Sequence, residues 1–269
     1  ALLFQYGPAN SNPDSLNGEI RFRQAVAAAV DRTALARERG TEPLPSIFHG
    51  CRPASRGDLW GEVTADPERV GALLDALGRD LGRDLFAGDG PRLLVTVPAG
   101  DTAAVDAAET VANMLRAAGI AAEVQVEEAS GFYGQTLPDG TWDAAVLTLA
   151  CGPGISGAAA MSGLFGPTGP AGGEGSLIGW GTPGSVTAGD PSAGEYAELL
   201  GRLAVAGDEA AAAQLLAAAE SVLAREVVLL PLVTTGQVAV AFWTDRVAGV
   251  AVNPAEGLAA GMALWIAAG

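Results

Sequence analysis

At 269 residues, 49% of them apolar and 17% charged, the chain can bury one large core or two small ones, and no apolar run approaches the roughly 18 residues needed to cross a bilayer. Its 31 acidic residues against 15 basic ones, every one of them arginine, leave a net charge of −16, which opposes nucleic acid and anionic lipid as partners. The acids Glu195, Glu198, Asp208, Glu209 and Glu220 are strung along helical stretches, the pattern of a solvated surface rather than of a cation site.

Leu2 to Tyr6 reads as a short strand with no charged or apolar leader ahead of it, so a preceding segment is expected to have been removed. A polar loop ends at Asn17 and Gly18. From Ile20 to Arg39, Phe22, Ala25, Val26, Ala29, Val30 and Leu35 recur at three- and four-residue steps and Gly40 supplies a stop, which predicts one amphipathic helix. Thr41 to Thr64 is rich in Pro, Gly and isolated aromatics and is expected to be a long ordered loop of the kind that carries function.

Asp66-Pro67-Glu68 opens a second helix whose stripe is Val70, Leu73, Leu74 and Leu77, with Gly78 as its predicted end. Leu93 to Val97 reads as a buried strand, Asp101 to Ala118 as a helix and Ala122 to Glu127 as an alternating strand. Such a strand, helix, strand unit predicts parallel strands in an α/β layer architecture. A short helix around Phe132 to Leu137 leads to the strand Ala144 to Ala150. Residues 151–194 are Gly-, Pro- and Ser-rich, with apolar anchors that include Ile155, Met161, Phe165, Ile178 and Trp180, as expected of a loop packed on a domain. Helices over Tyr196 to Val205 and Asp208 to Arg225 follow, then strand-like stretches at Val227 to Leu232 and Val238 to Phe242 and one more strand within Val250 to Ala268.

Chemistry is sparse. The single histidine, His49, pairs with no GxSxG elbow, and Cys51 and Cys151 are its only thiol candidates. No ligand cluster with metal spacing is present, no phosphate-binding glycine motif, and the neighbouring Glu127 and Glu128 point to opposite sides of a strand. No catalytic residue, metal or cofactor is implied. The two cysteines are too far apart for a CxxC site, which leaves one disulfide or two free thiols.

Several segments, in order, resemble the C-terminal lobe of family 5 extracellular solute-binding proteins, the peptide and nickel type of ABC importer component. Ile20-Arg21-Phe22-Arg23-Gln24-Ala25-Val26 followed by Ala29-Val30-Asp31-Arg32 is similar to that family's "VRQAIxxAIDR" helix, and Asp66-Pro67-Glu68 through Leu77-Gly78 to its "DPEKAKxLLxEAG" helix. Ala118-Gly119-Ile120 resembles its "LxxxGI" helix end, Trp142-Asp143-Ala144 its "YD" strand entry, and Leu223-Ala224 through Pro231-Leu232 its "LxxxxPxxPL" passage. The resemblance implies a single periplasmic-binding-protein-like (type II) lobe, an open mixed α/β sheet flanked by helices. It would span residues 1–269, with 236–269 as a segment returning toward a missing N-terminal lobe.

It implies further an extracellular protein, lipid-anchored at the outer face of the membrane, that binds a small solute or short peptide and passes it to an ABC transporter permease. An exposed lobe surface would also permit a homodimer. The family's acidic anchor after the central strand is absent, since the chain reads Leu149-Ala150-Cys151-Gly152-Pro153. The implied ligand-binding residues are Trp180 as an aromatic wall, Ala150, Cys151 and Gly152 at the strand end, and Phe48, His49 and Tyr133 around the cleft. Export would favour a Cys51–Cys151 disulfide. The alternatives are a ligand-sensing lobe of a regulatory protein or a partner-binding scaffold lobe, with a hydrolase a distant third.

Overall fold

The computed structural model describes residues 1–47, 59–85, 90–148, 161, 164–166, 176–234, 247–248 and 265–266. Five strands form the main sheet: β1 (Leu2–Phe4), β2 (Arg92–Pro98), β3 (Ala121–Glu127), β4 (Ala144–Val146) and β5 (Leu229–Leu230), in the order β3-β2-β4-β1-β5. β2 runs parallel to both β3 and β4, whereas β1 is antiparallel to β4 and β5. β2, β3, β4 and β5 therefore share a direction, and their C-terminal ends lie along one edge. A separate antiparallel pair joins β6 (Val247–Ala248) to β7 (Trp265–Ile266). β7 falls within the predicted tail strand, while Val238 to Phe242 lies outside the described residues.

The first predicted helix is two: α1 (Ile20–Ala29) and α2 (Arg32–Arg39). Val30 between them is extended, and the Asp31 side chain accepts a hydrogen bond from Ala34 N at 2.8 Å, restarting the helix as an N-cap. Apolar periodicity runs through such a break because both pieces bury one face on the same core. Helix α3 (Pro67–Leu81) begins at the expected Asp66 cap but runs past Gly78 to Gly82, which takes the left-handed conformation at φ 64°. Gly78 has a different reason to be glycine, since a Cβ there would sit 2.7 Å from the Arg83 carbonyl where the chain doubles back.

Helix α4 (Thr102–Ala117) makes the crossover from β2 to β3. Between β3 and β4 lie α5 (Ala129–Gly131), a π-helical turn over Phe132–Thr136 and α6 (Leu137–Asp139). Helices α7 (Pro191–Ala204) and α8 (Glu209–Arg225) pack on each other, and α8 leads into β5. α7 starts five residues before the predicted Tyr196 because Asp190 caps it ahead of Pro191.

Two of the family-like motifs are structural knots. Asp143 is fully buried, and its carboxylate accepts hydrogen bonds from Asn10, Asn12, Ser15 and Asn17 side chains and from Leu94 N, all at 2.7–3.1 Å. It fastens the loop after β1 to the N-terminal ends of β2 and β4. Arg23 is also buried and gives hydrogen bonds to the carbonyls of Asn17, Gly18, Glu226 and Val227, its guanidinium lying 5.4 Å from the Tyr6 ring centroid. Those bonds brace Val227, a β-branched residue held at φ 47° where α8 turns into β5. One sequence expectation is overturned outright: Glu220, read as a solvated acid, is 1% exposed on the inner face of α8.

Candidate functional site

In an open α/β sheet, ligands bind beyond the C-terminal ends of the parallel strands, where the loops are free to carry polar groups and helix N-termini point. Here that edge is built by the turns after β2, β3 and β4. After β2, Ala99 N donates to the Glu127 carbonyl at 2.6 Å, locking the ends of the two strands together. Asp101 then caps α4, with Oδ1 accepting from Ala104 N at 3.0 Å and Oδ2 accepting from the Thr148 hydroxyl at 2.8 Å. Both oxygens of Asp101 are engaged, so this carboxylate ties β4's exit to β2's exit and supports the edge.

After β3, Glu127 Oε1 accepts from the Thr136 hydroxyl at 2.6 Å, which pulls the π-helical turn over the strand end. Glu128 folds back to accept from Ser130 Oγ and from the backbone N–H groups of Ser130 and Gly131, and these bonds hold its carboxyl below the usual carboxylate range. A π-helical turn re-aims side chains relative to an α-helix and is often found at functional sites. Here it sends Phe132 into the core and leaves Tyr133 52% exposed, the two rings meeting edge to face at 5.0 Å. Burial against the turn, and secondly the negative charge of Asp101, raise the Tyr133 phenol above its ordinary value. Tyr133 is thus a neutral hydroxyl and an aromatic face presented beside Asp101, with Val126 also half exposed on β3.

The opposite flank of the edge is made at β5. Leu44 N donates to the Leu232 carbonyl at 3.2 Å, Thr234 N donates to the Glu42 carbonyl at 3.1 Å, and Pro43 pairs antiparallel with Val233. The long loop after α2 therefore begins alongside the strand-end surface.

Of the residues implied by resemblance, Tyr133 stands on this edge. Trp180 is 0% exposed within the hydrophobic core, its ring centroid 5.8 Å from that of Tyr196, the setting of a loop anchor on the core rather than of a wall open to solvent. Ala150, Cys151, Gly152, Phe48, His49 and Cys51, and with them the Cys51–Cys151 pairing, lie outside the described residues. Sequence reasoning missed Asp101, Thr148 and Thr136 as edge residues. The signal for Asp101 was present, an N-cap acid directly after a parallel strand, but it read only as a helix start. Among the described residues no group of three His, Cys, Asp or Glu side chains gathers around one point, and no helix is long and apolar enough to cross a membrane.

A mixed open sheet with flanking helices and a loop-built edge at its C-terminal strand ends defines one lobe of a type II periplasmic-binding-protein-like molecule. Residues 5–171 match the family described as bacterial extracellular solute-binding proteins, family 5 middle, and the chain belongs to that family. Among solved structures it is similar to the oligopeptide-binding protein AppA from Bacillus subtilis in complex with a nonapeptide, with TM-score 0.68 and 16% identity, covering 99% of this chain and 50% of that one. It is also similar to NikA from Brucella suis in complex with Fe(III)-EDTA, with TM-score 0.61 and 19% identity over 87% of this chain and 44% of that one. The chain spans about half the length of these two proteins. A third structure, a peptide-binding protein of a peptide ABC transporter, has TM-score 0.62 and 13% identity, and the match covers 86% of this chain and 97% of that one. No curated protein matches the chain.

Proposed function

We propose that this chain is the C-terminal lobe of a two-lobed binding protein that captures an extracellular solute, peptide-like in kind, and delivers it to the permease of an ABC importer. Membership of the solute-binding family carries the reading, and the exposed Tyr133 on the strand-end edge supplies the surface for it. The peptide and chelate held by the structurally similar AppA and NikA support a small solute or short peptide as ligand. The edge is read as binding its ligand without transforming it. Residues 1–269 make one lobe, 236–269 return toward the other lobe, and the whole protein works outside the cell, lipid-anchored at the membrane's outer face.

On this reading Tyr133 stacks on the solute, the Ala150-Cys151-Gly152 stretch follows β4 into the cleft, and Phe48 and His49 approach from the loop after α2. Trp180 follows Ile178 and Gly179, which meet Tyr6 and Gly7 just after β1, and on this reading it is a core anchor away from that surface. A Cys51–Cys151 disulfide would tie the two loops together, and thiol counting with and without reductant reads it directly. Light scattering on the isolated lobe tests whether its open face pairs with a second copy.

The deciding measurement is a thermal-shift panel of short peptides, amino acids, nickel chelates and sugars on the protein carrying both lobes, since a ligand of the folded state raises its melting temperature. A hit that Tyr133→Ala weakens about tenfold, without changing the unliganded melting temperature, supports the reading. A hit that Tyr133→Ala leaves untouched removes Tyr133 from the site, and a panel without hits refutes solute capture of these classes.

A further inference from the structure

Glu220 projects from α8 into the stem of the loop that joins α2 to α3. Its Oε1 accepts from Ile47 N at 2.6 Å and from Trp60 Nε1 at 2.8 Å, while Oε2 accepts from the Ser46 hydroxyl at 2.7 Å. Ser46 and Trp60 are themselves fully buried. One carboxyl group thus gathers donors from both ends of the loop, which are also joined by Leu59 N donating to the Pro45 carbonyl at 3.1 Å. From the other side Arg32 gives hydrogen bonds to the carbonyls of Leu44, Trp60 and Val63 at 2.6–3.2 Å. The stem lies between an acid that takes its N–H and O–H groups and a guanidinium that takes its carbonyls. Its first segment, residues 42–44, is the one paired with residues 232–234 at the strand-end edge.

We infer that Glu220 is a positioning residue for the solute-binding edge, a clasp that fixes the stem of the α2–α3 loop and holds it with the carboxyl group either ionised or protonated. The inference rests on the binding-protein reading for its role and on geometry alone for the clasp. Both forms fit because Ser46 is a hydroxyl: it donates to Oε2 of the carboxylate and can accept from Oε2–H of the acid, while Oε1 keeps its two N–H donors in either form. Burial raises the Glu220 carboxyl above its ordinary value, against the pull of its three hydrogen bonds. Among the described residues, the charged and titratable groups facing the clasp are the Tyr196 phenol on α7, which burial and, secondly, the charge of Glu220 push upward, and Arg32 on α2. Opening the stem exposes the carboxyl to water and returns it to the ordinary range. The closed stem therefore binds the proton more tightly than the open one, and opening becomes easier as pH rises above that range.

Hydrogen exchange on the 269-residue chain without solute tests the clasp, so its outcome is separate from that of the solute panel. In Glu220→Ala the Ile47 and Leu59 amides exchange about tenfold faster while those of Leu93–Val97 keep the parent rate. Glu220→Gln, whose Oε1 keeps both N–H donors and whose amide reaches Ser46, stays within about threefold of the parent and loses its pH dependence after correction for intrinsic exchange. If Glu220→Ala does not fold, Trp60→Phe deletes one donor and is expected to speed Ile47 and Leu59 about threefold with the sheet unchanged. Unchanged loop amides in these variants, equal acceleration of the sheet amides, or a Glu220→Gln protein as open as Glu220→Ala would each overturn the inference.

Discussion

Asp143→Asn is the most discriminating substitution available in the buried polar core. The change keeps shape and removes only charge and one acceptor, yet the cage around Asp143 contains donors alone. If the new amide oxygen keeps Leu94 N and the Asn12 amide, the new NH2 group faces Asn10 Nδ2, Ser15 Oγ and Asn17 Nδ2. Ser15 can rotate to accept, but the Asn10 and Asn17 amides also donate to the Gln5 carbonyl and cannot turn without losing it. In the other orientation the NH2 group meets the Leu94 backbone N–H, which cannot turn at all. Either way two donors face the new NH2 group where they faced a carboxylate oxygen, at about 1–3 kcal/mol each, so the expected cost is about 3 kcal/mol. For a domain of this size that is a fall of about 6–12 °C in Tm. Urea unfolding should show the midpoint shift at constant m-value. An Asp143→Asn protein within about 0.5 kcal/mol of the parent would refute the donor-cage account.

Gly179→Ala should destabilise by about 2 kcal/mol, because φ is +71° and the Cβ would lie 2.9 Å from Gly7 N. Gly40→Ala, at φ +63° with open space around it, should cost only about 1 kcal/mol, and equal losses in urea melts would refute the contact. Arg23→Lys should cost about 2–3 kcal/mol, since an ammonium cannot span the four carbonyls the guanidinium reaches, and a neutral result would refute its bracing of Val227. The raised Glu220 carboxyl predicts a pH effect of definite sign: its contribution to stability is full below the ordinary carboxylate range and is lost as pH rises through the raised value. Glu220→Gln should therefore flatten the parent's decline in Tm over that window, and identical pH profiles would exclude Glu220 as its source.

Much of the fold was legible because it is written in local chemistry. The Asp66-Pro67 start, the Gly40 stop and the β2, α4, β3 unit appear where capping and periodicity placed them. The errors share a cause, which is that a pattern counts what is apolar and not what the chain does next. Periodicity ran across Val30 because both short helices bury the same face, and Gly78 looked like a stop although the true stop is four residues later. The π-helical turn that exposes Tyr133 and buries Phe132 leaves no periodic trace over five residues.

Glu220 is the sharper case, because nothing in its own helix distinguishes it from Glu195 or Glu198. Its burial is caused by Ser46, Ile47 and Trp60, more than 150 residues away in the chain, and only the closed loop brings their donors together. The same distance separates Asp101 from its role. A capping acid needs only Ala104, but an edge residue needs Thr148, delivered by a parallel strand that neither sequence neighbourhood predicts. Binding edges at strand ends are assembled from such exits. For that reason helix motifs revealed the family in this chain, while the surface that would meet a solute became visible only once the strands were in register.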